Sequence, residues 1–342
     1  MNAPAASNPA PSPLFGRARR LLGWQGYTAQ LPTEWNPGKF SGKRNNGDLR
    51  VDDEDGTRFE LRWEETQKTP DVEKSIANFL KQLEKTARKN GDEFRVDEKA
   101  HTVSKGRKRK EQVTSFGWIG APDALTSCGY GAAWSCPVCK RVTFAHVLGH
   151  SGEKPDKIER LAGEILGAME CHGEGGWDTW SAFDFQLEIP TEFELSRAQL
   201  LLNKIELEWV RPRPNGLYGW GRRAERVRVM RFPVANVLLE GKSLAEWADW
   251  NVQHKNKQLA LRDATEDEFN GHEGLLYRGA ARDLKMRASV WFFDHLLRRR
   301  TPPSEVRVWN CPQSNRLYVL ESEVSPVNAH VPGDVLDALA CH

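Results

Sequence analysis

Two thiols two residues apart, Cys136-Pro-Val-Cys139, are the sharpest chemical pattern in the chain. On a tight turn between strands, such a pair can hold one metal ion from adjacent corners of a tetrahedron. The remaining ligands must come from elsewhere, and Cys171-His172, closing a helical segment, can supply them. His146 and His150 are the alternative pair, but strand alternation sets His146 on the face of Val142, Phe144 and Leu148, as a half-buried core histidine. Further along, Cys311, Cys341 and His342 offer a depleted version of the same set, because Ser314 stands in the place of Cys139. Three accounts stay open. The thiols pack where helix meets sheet. Or one zinc ion binds, in the first module only, through Cys136, Cys139, Cys171 and His172. Or disulfides join Cys136 to Cys171 and Cys311 to Cys341. Catalysis by Cys136 or Cys311 needs a base, and although His172 or His342 could serve, no acid to orient it is evident.

Basic loops form the second chemical pattern. Lys105, Arg107, Lys108, Arg109 and Lys110 crowd one loop, and Arg298–Arg300 another. Between Arg211 and Arg231, cations including Arg213, Arg222 and Arg223 interleave with Tyr218 and Trp220. Clustered cations with aromatics grip phosphates and stack bases, yet ordinary hairpin tips look the same and an acidic protein surface satisfies them equally. The net charge of +2 demands no nucleic-acid or membrane partner. Asp52–Asp55 falls at an expected hairpin tip, where a solvated turn is favoured over a metal site. No P-loop, dinucleotide fingerprint, nucleophile elbow or HExxH occurs, and the glycines of Gly129-Tyr-Gly131 and Gly216–Gly221 are expected in turns.

The elements that must position these residues repeat. Trp134-Ser-Cys136-Pro-Val-Cys139-Lys-Arg141 returns as Trp309-Asn-Cys311-Pro-Gln-Ser314-Asn-Arg316 at an offset of 175, and Leu166–His172 returns as Leu336–His342 at an offset of 170. Leu31-Pro32-Thr33-Glu34 answers Ile189-Pro190-Thr191-Glu192, and Phe59–Trp63 answers Ile205–Trp209. A repeat unit of about 150 residues is a duplicated domain and not a solenoid unit. The expected division is a disordered Pro/Ala-rich tail with a short basic segment over 1–23, a module over 24–172, a linker over 173–180 and a second module over 181–342. In the first module, strands are expected at Tyr27–Leu31, Leu49–Val51, Phe59–Trp63, Phe94–Val96, Val113–Ile119, Gly131–Ser135 and Arg141–Leu148. Helices are expected from Pro70-Asp71 to Asn90-Gly91 and from Pro155 to Met169. The second module repeats this order, with Ser243 capping a helix to about Lys257 and a closing helix over Val331–Ala340. Strands before one helix, a meander, and a final helix describe an α+β class: an antiparallel sheet covered by helices, built twice.

That order, with the Leu31-Pro32 and Trp35 opening, resembles the PsbP-like α/β/α sandwich family, which includes Ran-binding Mog-type proteins. The resemblance implies a binding or assembly role and transfers no functional residue. With no secretory signal and few cysteines, the expected setting is cytoplasmic. The leading expectation is a non-enzymatic adaptor or assembly subunit that contacts protein partners and no membrane. A nucleic-acid-binding accessory protein is the alternative, and a cysteine-dependent enzyme the third reading.

Overall fold

Gln25 and Gly26 both adopt positive φ, 53° and 84°, the primed turn that matches the twist of paired strands. They join β1 (Arg19–Trp24) to β2 (Tyr27–Pro32). The computed structural model describes residues 18–67, 71–102, 113–173, 175–211, 224–253, 259–261, 264–281 and 304–341. They form two compact units: the first runs to Gly173 and takes in Thr179–Asp184, and the second comprises Glu174–Asp178 and Phe185 onward.

In the first unit, β3 (Asn36–Gly42), β4 (Asn46–Asp52) and β5 (Thr57–Glu65) precede α1 (Val72–Asn90). Asp71 caps that helix by accepting the Lys74 amide, and Gly91 ends it at φ 80°, a left-handed position that suits glycine. Next come β6 (Phe94–Val96), β7 (Val113–Gly120), β8 (Thr126–Ser135), β9 (Arg141–His150) and α2 (Pro155–Ala168). The strands form one antiparallel sheet ordered β3-β4-β5-β9-β8-β7-β6. Leu148 packs with Val72, Ile76 and Leu80 of α1, while the next residue, Gly149, lies against Ile158 of α2. Alternation along β9 therefore serves a helix on each face. β10 (Trp177–Ala182), which starts in the stretch expected as a linker, pairs with β1 through Ser181 and Gly23.

The second unit continues with β11 (Phe185–Pro190), β12 (Glu194–Leu201), β13 (Lys204–Arg211) and β14 (Glu225–Pro233). Short helices α3 (Ala235–Leu238) and α4 (Leu244–Ala248) follow. Then come β15 (Leu259–Leu261), β16 (Thr265–Phe269), β17 (His272–Ala281), β18 (Ser304–Cys311), β19 (Arg316–Glu323) and α5 (Val331–Asp337). Its antiparallel sheet is ordered β12-β13-β14-β19-β18-β17-β15, with β16 also paired to β17.

The expected α+β class, a PsbP-like sandwich of helices covering a sheet, is corrected. The described residues are 51% strand and 21% helix, arranged as three antiparallel sheets. Two local causes stand out. Asn36–Gly42 carries Pro37, Gly38 and Gly42, which signal turns, yet it forms an edge strand with a bulge between Pro37 and Lys39. Ser243 does cap a helix through a reciprocal box with Glu246, but the α-helix stops at Ala248 and a π-helical turn, Asp249–Gln253, takes over. Trp247 and Val252, five residues apart, are both buried, a spacing that an i→i+5 turn aligns and an α-helix does not.

Candidate metal centre

The turn between β8 and β9 brings the first two thiols together. The Cys136 amide donates to the Arg141 carbonyl at 2.9 Å, and Lys140 closes the turn at φ 56°. After α2 the chain leaves the helix at Met169, and Glu170 exchanges both backbone hydrogen bonds with Thr28 at 3.0 Å. This bridge delivers Cys171 and His172 to the same turn.

All four expected ligands meet there: the Sγ atoms of Cys136, Cys139 and Cys171 and a ring nitrogen of His172 lie within 4.8 Å of one another. Cys139 Sγ is 3.9 Å from Cys171 Sγ, and His172 Nδ1 is 3.7 Å from Cys136 Sγ and 3.4 Å from Cys171 Sγ. A tetrahedral zinc ion with ordinary bond lengths spaces sulfurs about 3.8 Å apart and sulfur from nitrogen about 3.6 Å. None of these cysteines is joined in a disulfide, and the 3.9 Å between Cys139 and Cys171 far exceeds the ~2.05 Å of one. Cys136 and Cys171 are buried, while Cys139 and His172 are partly exposed. Burial pushes the Cys136 thiol up, whereas the hydrogen bond shared with Cys171, aided by the Arg141 guanidinium, holds Cys139 down at about 4.

Arg141 is the residue whose role here sequence reasoning missed. It is 2% exposed, lies 4.3 Å over the Tyr27 ring, and donates to the carbonyls of Gln25, Arg44 and Cys171. One guanidinium thus ties three loops to the ligand turn. Its place in the repeated Trp-x-Cys-Pro segment was the available signal.

Other sequence candidates fall elsewhere. His146 is buried on the α1 side of the sheet, 3.3 Å from Glu60, and His150 contacts the Thr57 carbonyl. Neither joins the cysteines. Asp53 of the acidic turn is ion-paired with Arg58. Gly129 and Gly131 are not in a turn: they lie within β8, where added Cβ atoms would meet the Trp118 and Phe116 rings. Lys105, Arg107, Lys108, Arg109, Lys110, Arg213, Trp220, Arg222, Arg223, Arg298–Arg300, Gly216–Gly221 and His342 lie outside the described residues. Three described arginines of the second basic run are committed to ion pairs: Arg211 to Glu192 and Glu225, Arg226 to Glu208 and Glu323, and Arg228 to Glu206 and Glu321.

Fold and site together define a predominantly β protein of two units, the first with a convergent Cys/His cluster. No protein-family model matches the chain, and no curated protein does. Among solved structures, it is similar to the T6SS immunity protein TplEi from Pseudomonas aeruginosa in complex with "L" peptide, at 12% identity and a TM-score of 0.32, over 95% of this chain and 97% of the other. The apo form of TplEi gives 14% identity and the same TM-score, over 95% and 96%. A likeness of that size transfers neither fold nor function. No helix among the described residues is long and apolar enough to cross a membrane.

Proposed function

We propose that this chain is a non-enzymatic protein-binding subunit whose first unit is held in shape by one structural zinc ion. The carrying observation is the tetrahedral spacing of Cys136, Cys139, Cys171 and His172. Four N/S ligands leave no open corner for a substrate or an activated water, which is the mark of a structural site and not a catalytic one. The charge also balances: three thiolates and a neutral imidazole around Zn²⁺ leave one negative charge, and the buried Arg141 supplies one positive. The ion would supply cohesion, fixing the end of α2 to the β8–β9 turn.

The surface that suits a partner is a groove of about 740 Å³ in the first unit, lined by Lys39, Asp48, Arg62, Trp63, Val142 and Phe144 among others. A lining that mixes charged with apolar side chains fits an extended protein segment.

Two measurements test the reading. Elemental analysis of protein purified without added metal should give about one zinc at this site, lost in Cys139→Ser, with a chelator lowering the melting temperature of wild type. Wild type retaining no zinc here would remove the structural ion. Affinity purification from the native host should recover a stoichiometric protein partner that the Lys39→Glu, Arg62→Glu double variant loses. No such partner, or a DNA or RNA shift that weakens steeply from about 50 to 200 mM salt, would overturn the binding assignment.

A further inference from the structure

The second unit builds a cluster that counting cysteines does not reveal. Asn270 and Gly271, at φ 52° and 75°, turn β16 into β17, so that His272 is the first residue of the returning strand. β17 pairs with β18 through Gly274 and Trp309, and continuing that register by two residues sets His272 opposite Cys311. Cys341 arrives after α5, where Gln186 and Ala340 form a bridge. His272 Nε2 lies 3.4 Å from Cys341 Sγ, and the ligand atoms of His272, Cys311 and Cys341 fall within 4.8 Å of one another. They are 8%, 0% and 4% exposed.

We propose that His272, Cys311 and Cys341 form a second metal site, with three protein ligands, for a thiophilic d¹⁰ cation, with Zn²⁺ as the resident ion. The site differs in kind from the one in the first unit and does not rest on it. The 3.4 Å separation is close to the ~3.6 Å edge that sulfur and nitrogen share around zinc. Soft thiolates with an imidazole select Zn²⁺ or Cu⁺ over hard cations. Charge decides between those two. In a pocket this buried, two thiolates and a neutral imidazole give a neutral complex with Zn²⁺ and an anionic one with Cu⁺, and uncompensated buried charge is costly. Binding releases the two thiol protons to solvent and leaves the imidazole neutral. Ser314, at the position of Cys139, supplies no thiolate, so the fourth corner falls to a water molecule, and the burial of all three protein ligands closes that corner to substrate.

The test is zinc stoichiometry of the full chain and its variants. Wild type should carry about two zinc ions per chain. Cys139→Ser should keep the second-unit ion, Cys341→Ser should lose it, and the double variant should hold none. One zinc in wild type and none in Cys139→Ser overturns the second site while leaving the first. One zinc in wild type, lost only in Cys341→Ser, upholds the second and removes the first. No zinc in wild type, even after reconstitution with zinc, removes both and leaves thiols that merely pack around a histidine. Should Cys341→Ser fail to fold, cadmium NMR of wild type replaces it. Two resonances, for three-thiolate and two-thiolate environments, support the site, and a three-thiolate resonance alone overturns it.

Discussion

Arg58 shows what a single buried cation does in this protein. Its side chain and that of Asp53 are each 8% exposed, and Glu153, at 25%, completes the group. Burial alone would raise both acids, but hydrogen bonds and charge from Arg58, with amides of Asp55 and His150, hold both below their ordinary values. Carboxylates so depressed stabilise the fold fully above their unfolded values near pH 4, and that contribution is lost as pH falls through the folded values. Arg58→Met is expected to cost about 3 kcal/mol at pH 7, because it strands two carboxylates. The deficit relative to wild type should begin to shrink above about pH 4 as the medium is acidified, because burial without Arg58 raises the stranded acids and they protonate early. Urea melts at pH 7 and pH 3.5 check this, and an equal deficit at both would refute it. At this scale the sequence was most legible where spacing constrains geometry. Cys136 and Cys139 are three positions apart on one turn, and Cys171-His172 follows a helix whose period was plain. His272 escaped because it meets Cys341 from 69 positions away, and only strand register brings them together.

Elements explain which features could be foreseen. α1 announces itself with Asp71 before it, Gly91 after it and an apolar stripe between, and all three behave as local physics requires. Asp71→Ala should lower stability by about 1 kcal/mol, measured by chemical denaturation, with the zinc content unchanged. Edge strands were illegible for the opposite reason: β3 and β12 bury little, so neither carries a strong alternating pattern. The Asn270-Gly271 turn was the overlooked local signal. Gly271 has nothing within 4 Å of an added Cβ, so Gly271→Val acts through its φ of 75°. It should cost about 1–2 kcal/mol and weaken zinc retention by the second unit more than by the first. Equal losses at both would mean that the turn does not position His272.

For the whole molecule, the units do not coincide with cuts in the sequence. The first reaches past Gly173 to take in Thr179–Asp184. There Ser181 donates to the Leu21 carbonyl and Trp180 packs edge-on against Trp24, 5.2 Å between centroids. A fragment of residues 18–184 should therefore melt higher and stay more soluble than one of 18–173, which leaves β1 as an unpaired edge. Identical melting curves would show that β10 adds nothing to this unit. The order in which the ligands occur along the chain has a consequence of its own. At synthesis rates of roughly 5–20 residues per second, Cys139 leaves the peptidyl transferase centre about 2–6 s before Cys171. During that interval the nascent chain displays half a chelate, two thiols competent to capture a stray ion or an oxidant, and arrival of the end of α2 decides which is kept.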